Sequence, residues 1–179
     1  MSRAHTYSLS LEWTGNRGTG TSGYRDYSRD HVVSHPDAPP IPGSSDPAFR
    51  GDRSRWNPEQ LLVASLSQCH MLWYLHLAGT AGVVVTEYHD DATGTMAEDD
   101  TGAGRFSEVV LRPRVVVSAE SDLDLAERLH GEVGDYCFIA RSVNFPVRHV
   151  PAVVRAGASP HQAGVADAVT GQAPKPSYP

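Results

Sequence analysis

Lysine is almost missing from this chain: Lys175 is the only one in 179 residues. Nearly every cation is therefore an arginine. A site that needs a fixed positive charge must take it from a guanidinium or a protonated histidine. There is no basic block and the formal net charge is −6, which argues against a nucleic-acid partner. Cysteine is scarce too. Cys69 and Cys137 are too few for the disulfide framework of a small secreted protein. The opening, MSRAHTYSLSLEW, lacks the apolar run and cleavage site of a signal peptide, so a cytoplasmic protein is expected. No apolar segment is free of polar residues over the length of a membrane span. No repeats occur, and no CxxC pair of the kind that marks zinc.

What is present centres on residues 57–78, NPEQLLVASLSQCHMLWYLHLA. Asn57 suits a helix N-cap, Pro58 the first helical position, and Glu59 the positive end of the helix dipole. Gly79 and Gly82 are stop signals. Apolar residues fall on nearly every side, so the segment reads as a central helix buried on all faces. Around it, 6–13 alternates as a strand, 14–23 is a Gly-rich turn, and 24–35 continues as strand. The turn lacks the GK[ST] ending of a phosphate loop. Residues 36–47 read as an irregular proline-rich loop, and 48–56 as a basic stretch with Arg50, Arg53 and Arg55. Strands are expected at 82–96, 105–119 and 142–154, with an acidic hairpin turn at 98–104 and a bulge or edge position at Pro113. A second helix is expected over 121–137, with Leu125, Leu129, Val133 and Tyr136 on its apolar face and Cys137 at its end. Strands and helices segregate and hairpins make the pairs antiparallel. The class is therefore α+β, an antiparallel sheet wrapped around the long buried helix. A few short strands cannot cover every face of that helix, which suggests a wall from a partner subunit. One domain spans 1–155; 156–179 is small, polar and proline-rich, a flexible or surface-lying tail.

The residues alone leave the chemistry of the two cysteines open. They can be structural thiols, a redox pair, or part of a metal site in which Cys69 and His76 share a helix face and Cys137 or His89 joins them. A Cys–His hydrolase is a further alternative, although nothing marks an oxyanion hole.

The order of residues resembles a known pattern. NPEQLLVASLSQC, with Glu59 ten residues before Cys69, is similar to the helix signature of the family of osmotically inducible protein C and organic hydroperoxide resistance proteins. The second cysteine, in DYCFIARSVNFPV, follows 68 residues later, as in that family; the early WTGNRGTG and the GRF strand before VVLRP also fit. The resemblance covers roughly residues 6–155. It implies an intertwined homodimer and a thiol peroxidase that reduces organic hydroperoxides. No bound cofactor or metal is implied; an external dithiol, such as a lipoylated protein, would be the reductant. It assigns Cys69 as the peroxidatic thiol, Cys137 as the resolving thiol and Glu59 as their acidic partner. The family's arginine falls on Arg50 or on Arg17, with Arg50 favoured. His70-Met71-Leu72-Trp73 after Cys69 departs from better-known members and points to a subgroup.

In such a mechanism a guanidinium lowers the thiol pKa and Glu59 orients it. An apolar surround of Trp56, Met71, Leu72, Phe138 and Phe145, with His70 beside them, is the expected substrate lining. On one helix, Glu59 and Cys69 stand about 15 Å apart along the axis. Meeting through one arginine therefore requires a second copy with its helix antiparallel, a composite site at a dimer interface. The alternative is a dimer of this family that binds a small apolar ligand without turnover.

Overall fold

The computed structural model describes residues 3–157. The expected tail lies, from residue 158 onward, outside the described residues. Among the described residues, no helix is long and apolar enough to cross a membrane.

Three strands open the chain: β1 (Ser10–Trp13), β2 (His31–His35) and β3 (Ala38–Gly43), an antiparallel sheet in that order. The expected strand 24–35 begins only at His31; residues before it form turns held by Arg29, whose guanidinium donates to the Tyr24 and Tyr27 carbonyls. The proline-rich segment is not all loop. Residues 38–43 form β3, pairing Val32 with Pro42 and Val33 with Ile41. It is an edge strand, the place in a sheet where missing N–H donors are tolerated. Among the described residues this sheet lies open: all of β1 is exposed, and all of β3 up to Gly43, with Leu11 66 % exposed and Trp13 and Ile41 open on the same face.

The central helix α1 runs Pro58–Thr80. Asn57 accepts from the Gln60 N–H at 2.7 Å while the Gln60 side chain accepts from the Asn57 N–H at 3.2 Å, a reciprocal cap that fixes the start. The helix passes through Gly79 and ends where Gly82 adopts φ +77°, letting the Val83 N–H return to the Ala78 carbonyl. Within one chain the burial of α1 is partial. Only Leu66, His70, Tyr74 and Ala78 are buried, a single stripe at spacing four, while Leu72 is 62 % exposed. The chain's own strands and second helix are enough to cover one stripe and no more.

The three later strands each appear, and each is broken in the middle. Residues 82–96 give β4 (Val85–Asp90) and β5 (Thr93–Glu98), 105–119 give β6 (Gly104–Leu111) and β7 (Pro113–Val117), and 142–154 give β8 (Val147–His149) and β9 (Ala152–Arg155). The halves sort into two sheets, β4-β7-β9 and β5-β6-β8. Pro113 sits at the first position of β7, where no ladder donor is needed. At the break the Arg112 N–H donates to Asp90 Oδ1 at 2.6 Å and its guanidinium to Thr93 at 2.7 Å. The pairing is not wholly antiparallel: β8 lies parallel to β6 and β9 parallel to β7. Helix α2 (Leu123–Tyr136), between β7 and β8, supplies the long crossover that parallel pairs require. Asp122 caps it by accepting from the Leu125 N–H. Its buried face is Ala126, Leu129, His130 and Val133, turned from the expected Leu125–Tyr136 stripe; Tyr136 is exposed. That face packs on Tyr74 and Ala78 of α1 and on Val115 and Val117 of β7, and Cys137 closes this core.

Candidate active site

Cys69 sits midway along α1, half-buried, and Cys137 caps the C-terminal end of α2, 2 % exposed. Their helices pack together, so residues distant in sequence meet: Cys69 packs against the core that Cys137 closes, near enough for its thiol to bear on the ionisation of Cys137. Both are free thiols. The Ala140 N–H points at Cys137 Sγ from 3.4 Å. Burial, reinforced by the neighbouring Cys69 thiol, nevertheless pushes Cys137 up to about 11, so it is a protonated thiol at neutral pH.

Glu59 stands elsewhere. It lines a cleft of about 750 Å³ between the N-terminal half of α1 and β5, with Phe49, Trp56, Val63, Met96 and Phe106. Neither cysteine is on its wall. Glu59 Oε2 is buried without a hydrogen-bond partner among the described residues, an uncommon state for a carboxylate oxygen. Deeper along the helix, Ser67 donates to Asp90 at 2.5 Å.

The two candidate arginines are not at the cysteine in this chain. Arg50 follows the short turn Pro47–Phe49 in a left-handed conformation, φ 65°, with its guanidinium 5.7 Å from the Tyr24 ring centre. Arg17 is exposed in the Gly-rich turn. Neither forms a hydrogen bond to Cys69 or Glu59 among the described residues. Of the lining candidates, Trp56 borders the Glu59 cleft. Met71 is half-buried, and Phe145 packs against Phe106. Leu72 and Phe138 are exposed, Phe138 edge-on to Trp73. His76 is exposed beside Trp73, and His89 beside Asp91.

His70 points inward, and here the structure assembles something the sequence did not signal. His70 Nε2 lies 2.9 Å from His130 Nδ1, the rings stacked within 8° of parallel. His130 in turn stacks on Tyr74 at 3.8 Å, and His149 of β8 lies 5.5 Å from His70. Burial is the main cause that pulls His70 down to about 4 and His130 to about 3, so both rings are neutral at pH 7. Among the described residues no group of three or more His, Cys, Asp or Glu side chains has the arrangement to hold a metal ion.

Against this geometry the comparisons with known proteins are specific. The OsmC-like protein family matches residues 51–150, the span from the approach to α1 through β8. This chain belongs to the OsmC-like family. An OsmC-like protein of unknown function from Vibrio cholerae is 30 % identical, with a TM-score of 0.75 over 83 % of this chain and 99 % of that one. An organic hydroperoxide resistance protein from Elizabethkingia anophelis shares the fold at 15 % identity and TM-score 0.60, covering 86 % of this chain and 100 % of that one. One from Legionella pneumophila does so at 15 % and 0.59, covering 84 % and 98 %. No curated protein matches in sequence. The thiol pair and the orphaned Glu59 oxygen are thus features of an OsmC-like chain.

Proposed function

We propose that this OsmC-like chain is a thiol peroxidase acting on organic hydroperoxides, with Cys69 as the peroxidatic and Cys137 as the resolving thiol. The observation that carries the reading is the placement of two free thiols at one core, one half-buried and the other sealed within it. The accessible thiol meets the peroxide first. Its thiolate attacks the O–O bond, the alcohol leaves, and Cys69 becomes a sulfenic acid. Cys137 then displaces hydroxide from that sulfur, giving the disulfide and water. An external dithiol of lipoyl type reopens it by exchange.

The unpartnered Glu59 oxygen supports a composite site in a homodimer. A buried carboxylate oxygen calls for a donor, and Arg17 or Arg50 of a second copy is the donor we infer. The same second copy would cover the open stripe of α1 and the bare faces of the β1–β3 sheet. Organic rather than inorganic peroxide is favoured by the apolar walls of the Glu59 cleft, Phe49, Trp56, Val63 and Phe106.

A second reading is an OsmC-like dimer that binds a small apolar ligand in that cleft without turnover; it draws on the fact that, among the described residues, neither Arg17 nor Arg50 is bonded to Cys69. Consumption of cumene hydroperoxide with dihydrolipoamide separates the two. Cys69-dependent consumption and a Cys69–Cys137 disulfide by mass spectrometry are expected. No consumption, with saturable binding of an apolar fluorophore, would establish the second reading. Sedimentation of the reduced chain tests the dimer, and a monomer at micromolar concentration would remove the composite site.

A further inference from the structure

Strand β5 carries a glycine that its backbone does not need. Gly94 lies within the strand and, unlike Gly82, has no positive φ, so its conformation is open to any residue. Glycine inside a strand gives up side-chain packing and marks a place that something approaches closely. What approaches Gly94 is a pair of side chains of the Glu59 cleft. A methyl carbon placed there would stand 2.6 Å from Phe106 Cε1 and 2.7 Å from Val63 Cγ2. Both side chains, and Gly94 itself, line the cleft. Neither can withdraw far from it. Phe106 rests on the Phe145 ring, with centroids 5.4 Å apart, and both Phe106 and Val63 pack against the buried Leu66, Val109 and Leu111. Close-packed neighbours do not yield space cheaply. A side chain at position 94 would therefore occupy the cleft itself, or push that ring and that valine into it.

We propose that Gly94 is the specificity-determining position of this cleft: its missing side chain sets the depth, and so admits a bulky, ring-bearing organic group. The use of the cleft for hydroperoxides rests on the peroxidase reading above; its dimensions do not. Its volume of about 750 Å³ falls within the roughly 300–1,000 Å³ of sites that hold sizeable organic ligands. Phe49, Trp56 and Phe106 offer ring faces and edges on which a flat group packs offset or edge-on. Met96 adds an adaptable side chain that follows an irregular outline. Asp46 and Asp90 also border the cleft, but their oxygens are taken up within the chain. Asp46 accepts from the Ala48 N–H and from Asn57, and Asp90 from Ser67 and from the Arg112 N–H. These carboxylates hold the wall together. The organic group is selected by the shape of the apolar wall, and Gly94 is where that shape is most sensitive to one added carbon.

Two hydroperoxides that differ in the bulk of the organic group read the depth: cumene hydroperoxide carries a ring, and tert-butyl hydroperoxide does not. Gly94→Ala should lower the ratio of their kcat/KM values, cumene over tert-butyl, by at least ~10-fold, the scale on which an apolar pocket discriminates one methylene. General damage to the fold or to the thiols would lower both rates together and leave the ratio alone. Val63→Leu adds bulk at the same spot from the α1 side. It should lower the ratio in weaker form, and it serves if Gly94→Ala does not fold. An unmoved ratio in Gly94→Ala, or in Val63→Leu where that is the variant that folds, overturns the assignment and leaves the peroxidase reading standing. If the wild type consumes neither peroxide, the peroxidase reading falls, and binding of the neutral aromatic fluorophore N-phenyl-1-naphthylamine decides. A Kd raised at least ~10-fold in the variant upholds the assignment. No binding to the wild type, or an unchanged Kd, overturns it.

Discussion

Lowering the pH from 7 to 5 should weaken this fold by about 4 kcal/mol through two side chains. A histidine in the unfolded chain titrates near ~6.5. Burial holds His70 at about 4 and His130 at about 3 in the folded protein. These are depressed histidines, the reverse of the usual raised case, so below pH ~6.5 the unfolded state binds the extra protons. Stability is then complete above about pH 7 and falls as the pH drops toward the folded values. At pH 5 each unfolded ring lies ~1.5 pH units below its pKa and gains about 2 kcal/mol, while the folded ring stays neutral. Two rings give about 4 kcal/mol, a large part of the ~5–15 kcal/mol that stabilises a domain. His149 is lowered as well and acts in the same direction. The carboxylates held low by hydrogen bonds, Asp52, Asp91 and Asp99, belong to another window. Their contribution is present above the ordinary value of 3.8 and is lost only below it. Urea unfolding followed by tryptophan fluorescence, at fixed protein concentration, reads the effect. With a slope of about 2 kcal/mol per molar, the midpoint should fall by about 2 M between pH 7 and pH 5. His70→Gln/His130→Gln should flatten that dependence. A wild-type loss under ~1 kcal/mol over the interval would refute the argument, because it would mean the rings are protonated in the fold or reached by water.

Cys69→Ser should abolish hydroperoxide consumption, whereas Cys137→Ser should leave a Cys69 sulfenic acid that dimedone traps in mass spectrometry. Glu59→Gln should lower kcat/KM by ~10²-fold, the usual scale for one preorganised charge. Asn57→Ala removes the side-chain acceptor of the Gln60 N–H, one half of the α1 cap, and should cost about 1 kcal/mol in denaturant unfolding. Leu66→Ala, at a fully buried position beside Val109 and Leu111, should cost ~2–5 kcal/mol.

What the sequence made legible was chemistry confined to a few neighbouring residues. Asn57, Pro58 and Glu59 specify the start of α1 by local preferences, and the structure begins the helix there, with Gln60 completing the cap. Gly82 likewise ends it through a conformation other residues avoid. The parts that stayed hidden depend on contacts between distant residues. The β3 strand hides behind its prolines, because an edge position is a property of the sheet and not of the segment. The parallel pairs β6–β8 and β7–β9 join strands separated by a whole helix. The face of α2 was turned because a periodic pattern counts His130 as polar, whereas stacking on Tyr74 and a bond to His70 bury it.

The same distinction governs the candidate site. Spacing along α1 marks Glu59 and Cys69 as ten residues apart, and helical rise separates them by about 15 Å. Each end then acquires neighbours that the spacing cannot name. At the Cys69 end they come from this chain: Cys137 on α2, and behind it three histidines from three elements. At the Glu59 end this chain supplies an apolar cleft and a buried oxygen with no donor among the described residues. One helix thus serves two separate places, the core that holds Cys69 and the cleft that holds Glu59. An antiparallel second copy would join the two kinds of end, because the distance that keeps Glu59 from its own Cys69 is the offset that brings it to another's. The arginine is then the piece to locate. Arg17 and Arg50 sit in exposed turns on the N-terminal side of α1, where a guanidinium is free to reach a neighbouring molecule. Charge-reversal pairs decide which one does: of Arg17→Glu and Arg50→Glu, only the change at the arginine that meets Glu59 should abolish turnover and be rescued by Glu59→Arg.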